Sequence, residues 1–207
     1  MKGNLARALV SLAGGCMVAG VAGLATASPL ESDQVDITVD IAPRAQEGAL
    51  TLTVAAPSTN LTEVPPSEPG QRQFDGTLPT ATVTDDREQA PHGVYWYVVG
   101  QSSDFVSDGA AEIPASQFGW RPELLSASFG QVNAGDEVLT VLDPPSHTGN
   151  NQGLVSDELL VGTINSGWAH LGHSWDATAD LFLKTSSDVE PGVYTALVTL
   201  SLWEIEY

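Results

Sequence analysis

Four residues close together in the last third of the chain carry side chains able to hold a ligand: Trp168, His170, His173 and Trp175, in the segment WAHLGHSW. Two imidazoles three residues apart, with Asp176 following, are donors of the kind that bind zinc. Gly172 and the flanking tryptophans argue against the helix that would bring both rings together, and His92 and His147 lie far away in sequence. The histidines are therefore expected to be surface or hydrogen-bonded groups, and no metal is expected. The two indoles allow a different chemistry. Aromatic plates beside polar groups stack on sugar rings or on a partner protein, and they also cap the ends of cores. The four residues form the candidate ligand-binding set, with both readings of the tryptophans open.

Catalysis has less to stand on. Paired carboxylates occur at Asp85-Asp86, Asp136-Glu137 and Asp157-Glu158, and glycosidases use two carboxylates. Neighbours on a strand point to opposite faces, however, so adjacency alone makes no catalytic pair, and such pairs read as solvated turns. The chain has no GxSxG elbow, HExxH helix, P-loop or dinucleotide fingerprint. Asp33, Asp36 and Asp40 lack the order of a calcium-binding EF-hand loop. A non-catalytic protein without a cofactor is expected, with a glycan hydrolase assembled only by the fold as the weaker alternative.

Lys2 and Arg7 precede an apolar stretch from Ala8 to Leu24, and Ala25-Thr26-Ala27 supplies the small residues that signal peptidase reads, so residues 1–27 are expected to be a cleaved secretory signal. Cutting after Ala27 leaves 180 residues (207 minus 27), residues 28–207, a length that suits one domain. The only cysteine, Cys16, lies within the leader. Lipoprotein processing at Cys16 is the alternative to cleavage after Ala27, and the apolar run through Met17 to Leu24 speaks against it. With the leader gone, neither a disulfide nor a cysteine-ligated metal is expected, and core burial must hold the domain together.

Beyond the leader, five basic residues (Arg44, Arg72, Arg87, Arg121 and Lys184) face 26 acidic ones, five minus 26, a formal charge of −21. Phosphate backbones need basic clusters, which excludes nucleic acid as an expected partner. No later apolar run has the length of a membrane span, so no transmembrane anchor is expected.

Strands must position these residues. Ile37, Val39 and Ile41 alternate with Thr38 and Asp40, and Leu50, Leu52 and Val54 with Thr51 and Thr53; Pro43 to Gly48 turns between them, and a hairpin is expected. Four prolines make Pro57 to Gly70 a loop, and a strand runs from about Phe74 to Thr84. After the charged turn of Asp85, Asp86, Arg87 and Glu88, the strand Val94–Val99 presents Val94, Trp96 and Val98 on one face and Tyr95, Tyr97 and Val99 on the other, so both faces are expected to pack. Trp120-Arg121-Pro122 reads as a turn or edge, Val138 to Leu142 as a short strand stopped by Asp143-Pro144-Pro145, SHTGNNQG (146–153) as a loop, Ser156 to Leu160 as one helical turn at most, and Ala177 to Leu183 as a strand. The last strand, Tyr194 to Leu202, follows Pro191-Gly192 and has one apolar face. The expected fold is all-β: a single antiparallel β-sandwich with long loops and little or no helix.

The order of several pieces resembles the WxL-type cell-surface domain, most closely its actinobacterial branch. These are Gln73-Phe74-Asp75-Gly76-Thr77-Leu78-Pro79 leading to Val83-Thr84-Asp85-Asp86-Arg87, a Trp-bearing strand with Ser103-Asp104-Phe105, Phe118-Gly119-Trp120-Arg121-Pro122, Val132-Asn133-Ala134-Gly135, and Glu190-Pro191-Gly192-Val193-Tyr194 through Leu200. The likeness runs from about Asp36 to Leu202. Its naming tripeptide stands here as Trp96-Tyr97-Val98, with valine third, and Leu200 occupies the place of the tryptophan in a second motif. The resemblance implies structural roles for Trp96, Tyr97, Val98, Asp85, Arg87 and Tyr194. It also implies a secreted, cell-wall-associated protein that binds peptidoglycan glycan or other surface proteins noncovalently. An assembly subunit that pairs with partner surface proteins through its strand edges is the alternative.

Overall fold

A computed structural model describes residues 48–126, 130–145, 150–169 and 173–206. The expected leader, Cys16, the strand at 37–41, most of the turn before β1, His147 and His170 lie outside the described residues.

Among the described residues, alternating apolar and polar residues along most segments give ten strands, with one four-residue helix, α1 (Ser166–Ala169), and one 3-10 turn (Ala115–Gln117) between them. The strands are β1 (Leu50–Val54), β2 (Thr62–Val64), β3 (Gln71–Thr77), β4 (Ala81–Asp85), β5 (Val94–Ser102), β6 (Phe118–Leu124), β7 (Val132–Ala134), β8 (Glu158–Thr163), β9 (Ser174–Ser186) and β10 (Val198–Glu206). Two antiparallel sheets pack face to face, an all-β sandwich as the sequence led us to expect.

The larger sheet is organised around β9, whose 13 residues carry Ala177, Ala179, Leu181 and Leu183 on the buried face. β3 and β4 run in line along one of its edges, from Gln71↔Ser186 to Thr77↔Asp180 and then from Ala81↔Ala177 to Thr84↔Ser174. The register slips by one residue between them, at Leu78-Pro79-Thr80. Pro79 has no N–H to give the ladder, so the expected single strand breaks there. The buried Thr178 hydroxyl fills the gap by donating to the Leu78 carbonyl at 2.6 Å.

β6 takes the opposite edge of β9, from Phe118↔Leu183 to Leu124↔Ala177. Of the two expectations for Trp120-Arg121-Pro122, a turn or an edge, the structure shows the edge strand. Trp120 exchanges both backbone hydrogen bonds with Val138 on the outer side of β6, so Pro122, two residues on, also directs its nitrogen away from β9 and costs the ladder nothing. Val138 contributes only that bridge. The expected strand to Leu142 is a turn, closed by Thr140 and Asp143.

In the smaller sheet the order is β10-β5-β8-β7. Ser156 to Leu160, expected as a helical turn, instead leads into β8, which buries Leu160 and Val161 against β5. The last strand begins at Val198, later than expected, with Thr195 joined only by a bridge to Val106. β2 interrupts the loop expected from Pro57 to Gly70. The described partner of β1 is β4.

Between the sheets lie Trp96 and Trp120, both fully buried. Trp96 of β5 packs on Trp175 of β9 with ring centroids 5.2 Å apart, and Phe105 meets Phe118 edge to face at 5.1 Å.

Candidate functional site

The structure separates the four residues that the sequence grouped. Trp175 is 2% exposed and lies against Trp96, so it is a core residue that offers no face to a ligand. Trp168, on the single turn of α1, is 57% exposed. Its backbone N–H bonds to the Asn165 side chain, and the preceding Gly167 sits so close to His92 that a β-carbon would be 2.5 Å from the imidazole Nδ1. His173 is exposed with φ of 58°, and its carbonyl accepts from the Asp85 N–H. The alternation of β9 starts at Ser174 and aims Trp175 inward, which is why the two indoles part company. Among the described residues no group of three histidines, cysteines or carboxylates is placed to hold a metal ion.

The charged turn after β4 is not the solvated segment expected of Asp85-Asp86. Asp85 is fully buried, and Arg87 meets both its oxygens at 2.7 Å. The same guanidinium reaches Glu204 of β10 with two bonds of 3.0 Å. One arginine therefore ties the larger sheet to the smaller at this end of the sandwich. Hydrogen bonding to Asp85 raises the Arg87 pKa above its ordinary value, against an opposing effect of burial. Tyr194, at the far end of the last segment, donates its hydroxyl to the Glu190 carbonyl at 3.0 Å.

A surface that sequence reasoning missed lies on the outer face of the smaller sheet. The register pairs Trp203 with Tyr97 and Ile205 with Tyr95, and directly opposed residues share a face. Trp203 is 50% exposed. Tyr95 and Tyr97 stack with centroids 5.9 Å apart. On its other side Tyr97 opposes Gly162 of β8, so no side chain stands between the ring and the next strand. The result is an open aromatic strip with Ile205 and Leu159 exposed at its margins. The expectation that both faces of this strand pack holds fully for Val94, Trp96 and Val98; on the other face Val99 is buried, whereas Tyr95 and Tyr97 are only partly covered and stack on each other. The signal was present in the chain: Trp203 and Ile205 break the otherwise polar face of Thr199 and Ser201.

The outer face of the larger sheet carries a different feature, an open cleft of about 730 Å³. Gly119 makes room there for the Phe182 ring, since a β-carbon would lie 2.4 Å from it. Arg121 binds Glu137 at 2.5 Å and stands 3.7 Å from Asp180. Deeper in the cleft, Lys184 and Asp143 form an ion pair whose side chains are 7% and 8% exposed. Lys184 also donates to Ser67 Oγ at 2.9 Å, and its ammonium lies 5.8 Å from the Phe182 ring centroid. Asp143 Oδ2 accepts from the Thr140 N–H at 2.9 Å and its hydroxyl at 2.8 Å. Burial pushes the Asp143 carboxyl upward, but the bonds from Lys184 and from both Thr140 donors outweigh that and leave it below the usual value.

No protein-family model matches the chain, and no curated protein is similar to it.

Proposed function

We propose that this chain is a non-catalytic binding module of the cell envelope, exported and associating noncovalently with peptidoglycan glycan. One observation carries the proposal: the stacked, partly exposed Tyr95 and Tyr97 beside half-exposed Trp203 on the outer face of the smaller sheet. Rigid aromatic plates with few rotatable bonds lose little entropy on binding. Their π-faces suit the C–H faces of sugar rings, and the tyrosine hydroxyls suit the ring hydroxyls. Such a strip is a costly surface to leave open without a ligand. Of the carboxylates in the opposite cleft, Glu137 and Asp180 face Arg121, Asp143 is paired with Lys184, and Asp75 accepts from Gln73, which favours binding over hydrolysis. Sedimentation of the purified protein with isolated cell walls tests the proposal: it pellets with the walls if the reading is right and stays in the supernatant if it is wrong.

The second reading, an assembly subunit that pairs with partner surface proteins, draws on β10. Among the described residues this nine-residue strand lies at the edge of its sheet, preceded by exposed Val193 and Leu197. Release of sugar from the walls would favour a hydrolase instead.

A further inference from the structure

The buried pair in the cleft has the geometry of a reaction. Lys184 stands on β9 and Asp143 on a turn 41 residues earlier, in direct contact, with almost no exposure to solvent. Lysine is the most hydrated and among the most flexible of side chains, so an ordinary ion pair gains little by such burial. The two oxygens of Asp143 are not equivalent. Oδ1 faces the Lys184 amine, whereas Oδ2 receives two Thr140 donors, N–H at 2.9 Å and O–H at 2.8 Å. Two preorganised donors on one carboxyl oxygen are the arrangement that stabilises charge developing during attack on the carbon.

We propose that Lys184 and Asp143 join in an intramolecular isopeptide bond. A proton passes from the ammonium to Oδ1, which leaves a neutral amine with a free lone pair facing a neutral acid. The Nζ lone pair then attacks Cγ, and negative charge collects on Oδ2 between the Thr140 donors. A second proton moves from Nζ to Oδ1, the Cγ–Oδ1 bond breaks, and Oδ1 departs as water into the open cleft. The amide retains one hydrogen on nitrogen, with Oδ2 as its carbonyl oxygen. Ammonium plus carboxylate gives amide plus one water, so no oxidant, cofactor or other reactant is needed. Ser67 and the Phe182 ring hold the amine on its target, and holding two groups in contact in this way replaces the chemical activation that free lysine and aspartate would require. The bond would tie the turn after Val138 covalently to β9 in a chain with a single cysteine, Cys16.

The test is peptide mass spectrometry on the purified full chain, denatured and digested with a glutamate-specific protease. The expected product is a branched peptide joining the Lys184 and Asp143 fragments, lighter than their sum by one water. It should be lost completely in both Lys184→Arg and Asp143→Ala. Recovery of the two fragments as separate linear peptides at their sequence masses would overturn the proposal. So would a water loss confined to a linear peptide containing Asp143, a dehydration that joins nothing to Lys184.

Discussion

Gly100 of β5 faces Trp120 of β6 so closely across the core that a β-carbon on the glycine would lie 2.6 Å from the indole Cη2 and 2.9 Å from Leu200. The two sheets are therefore keyed together by the absence of a side chain on one and the largest side chain on the other. Gly100→Ala should cost about 1–3 kcal/mol by overpacking. In Trp120→Leu, which vacates the space, the same change should cost clearly less. Urea unfolding of the two single variants and the double variant measures that coupling, and additive losses would mean the contact is not tight.

Arg87 should be the most sensitive charged residue. Arg87→Ala leaves fully buried Asp85 without its principal partner, for a loss of about 3–5 kcal/mol. Arg87→Lys should recover only part of this, because an ammonium cannot make the paired bonds to two carboxylates at once. Thermal melts of the three proteins give the order wild type, lysine, alanine.

Trp96 is fully buried, and its indole N–H has no hydrogen-bond partner among the described residues. Trp96→Ala should cost about 3–5 kcal/mol through the cavity it leaves. Trp96→Phe keeps an aromatic face toward Trp175 and removes an unpaired donor, so it should lose much less. Equal losses in chemical denaturation would show that the indole nitrogen matters to the core.

How much of this was visible in the chain varied with the physics. Alternation gave away β1, β4 and β9, because a half-buried strand leaves a period of two in its residues, and β5 showed as a short apolar run with both faces to pack. Leu159-Leu160-Val161 carried no such period, since a bulge against β5 interrupts it, and Ser156 to Leu160 read as one helical turn at most. Trp120-Arg121-Pro122 read equally as a turn or an edge because which side a proline nitrogen faces depends on pairing, which the sequence does not display. The aromatic strip was hidden for the same reason: Trp203 and Tyr97 are 106 positions apart and become neighbours only through the β5–β10 register. Trp168 and Trp175, close in sequence, end with one in solvent and the other in the core.

Acid should separate the two states of the Lys184–Asp143 pair. In the ion-paired state the depressed Asp143 pKa stabilises the fold above the ordinary carboxyl value, near 4, and that stabilisation is lost as pH falls through the folded-state pKa. The amide-linked state has no such titration. Calorimetric melting between neutral pH and pH about 3 should therefore fall more steeply for Lys184→Arg, which keeps a cation beside the carboxylate, than for the linked wild type. Parallel slopes would mean that the wild type is not linked.

The central claim is that the aromatic strip binds the wall, and the most direct measurement is the affinity of purified peptidoglycan for wild type and for Tyr97→Ala with Trp203→Ala combined. The variant's fold is to be verified by its melting transition. Both side chains sit on the outer face, so the fold should survive while binding weakens by roughly 30-fold or more, the loss expected when an aromatic anchor worth about 2 kcal/mol is removed. A folded double variant that binds the wall as tightly as wild type would contradict the account.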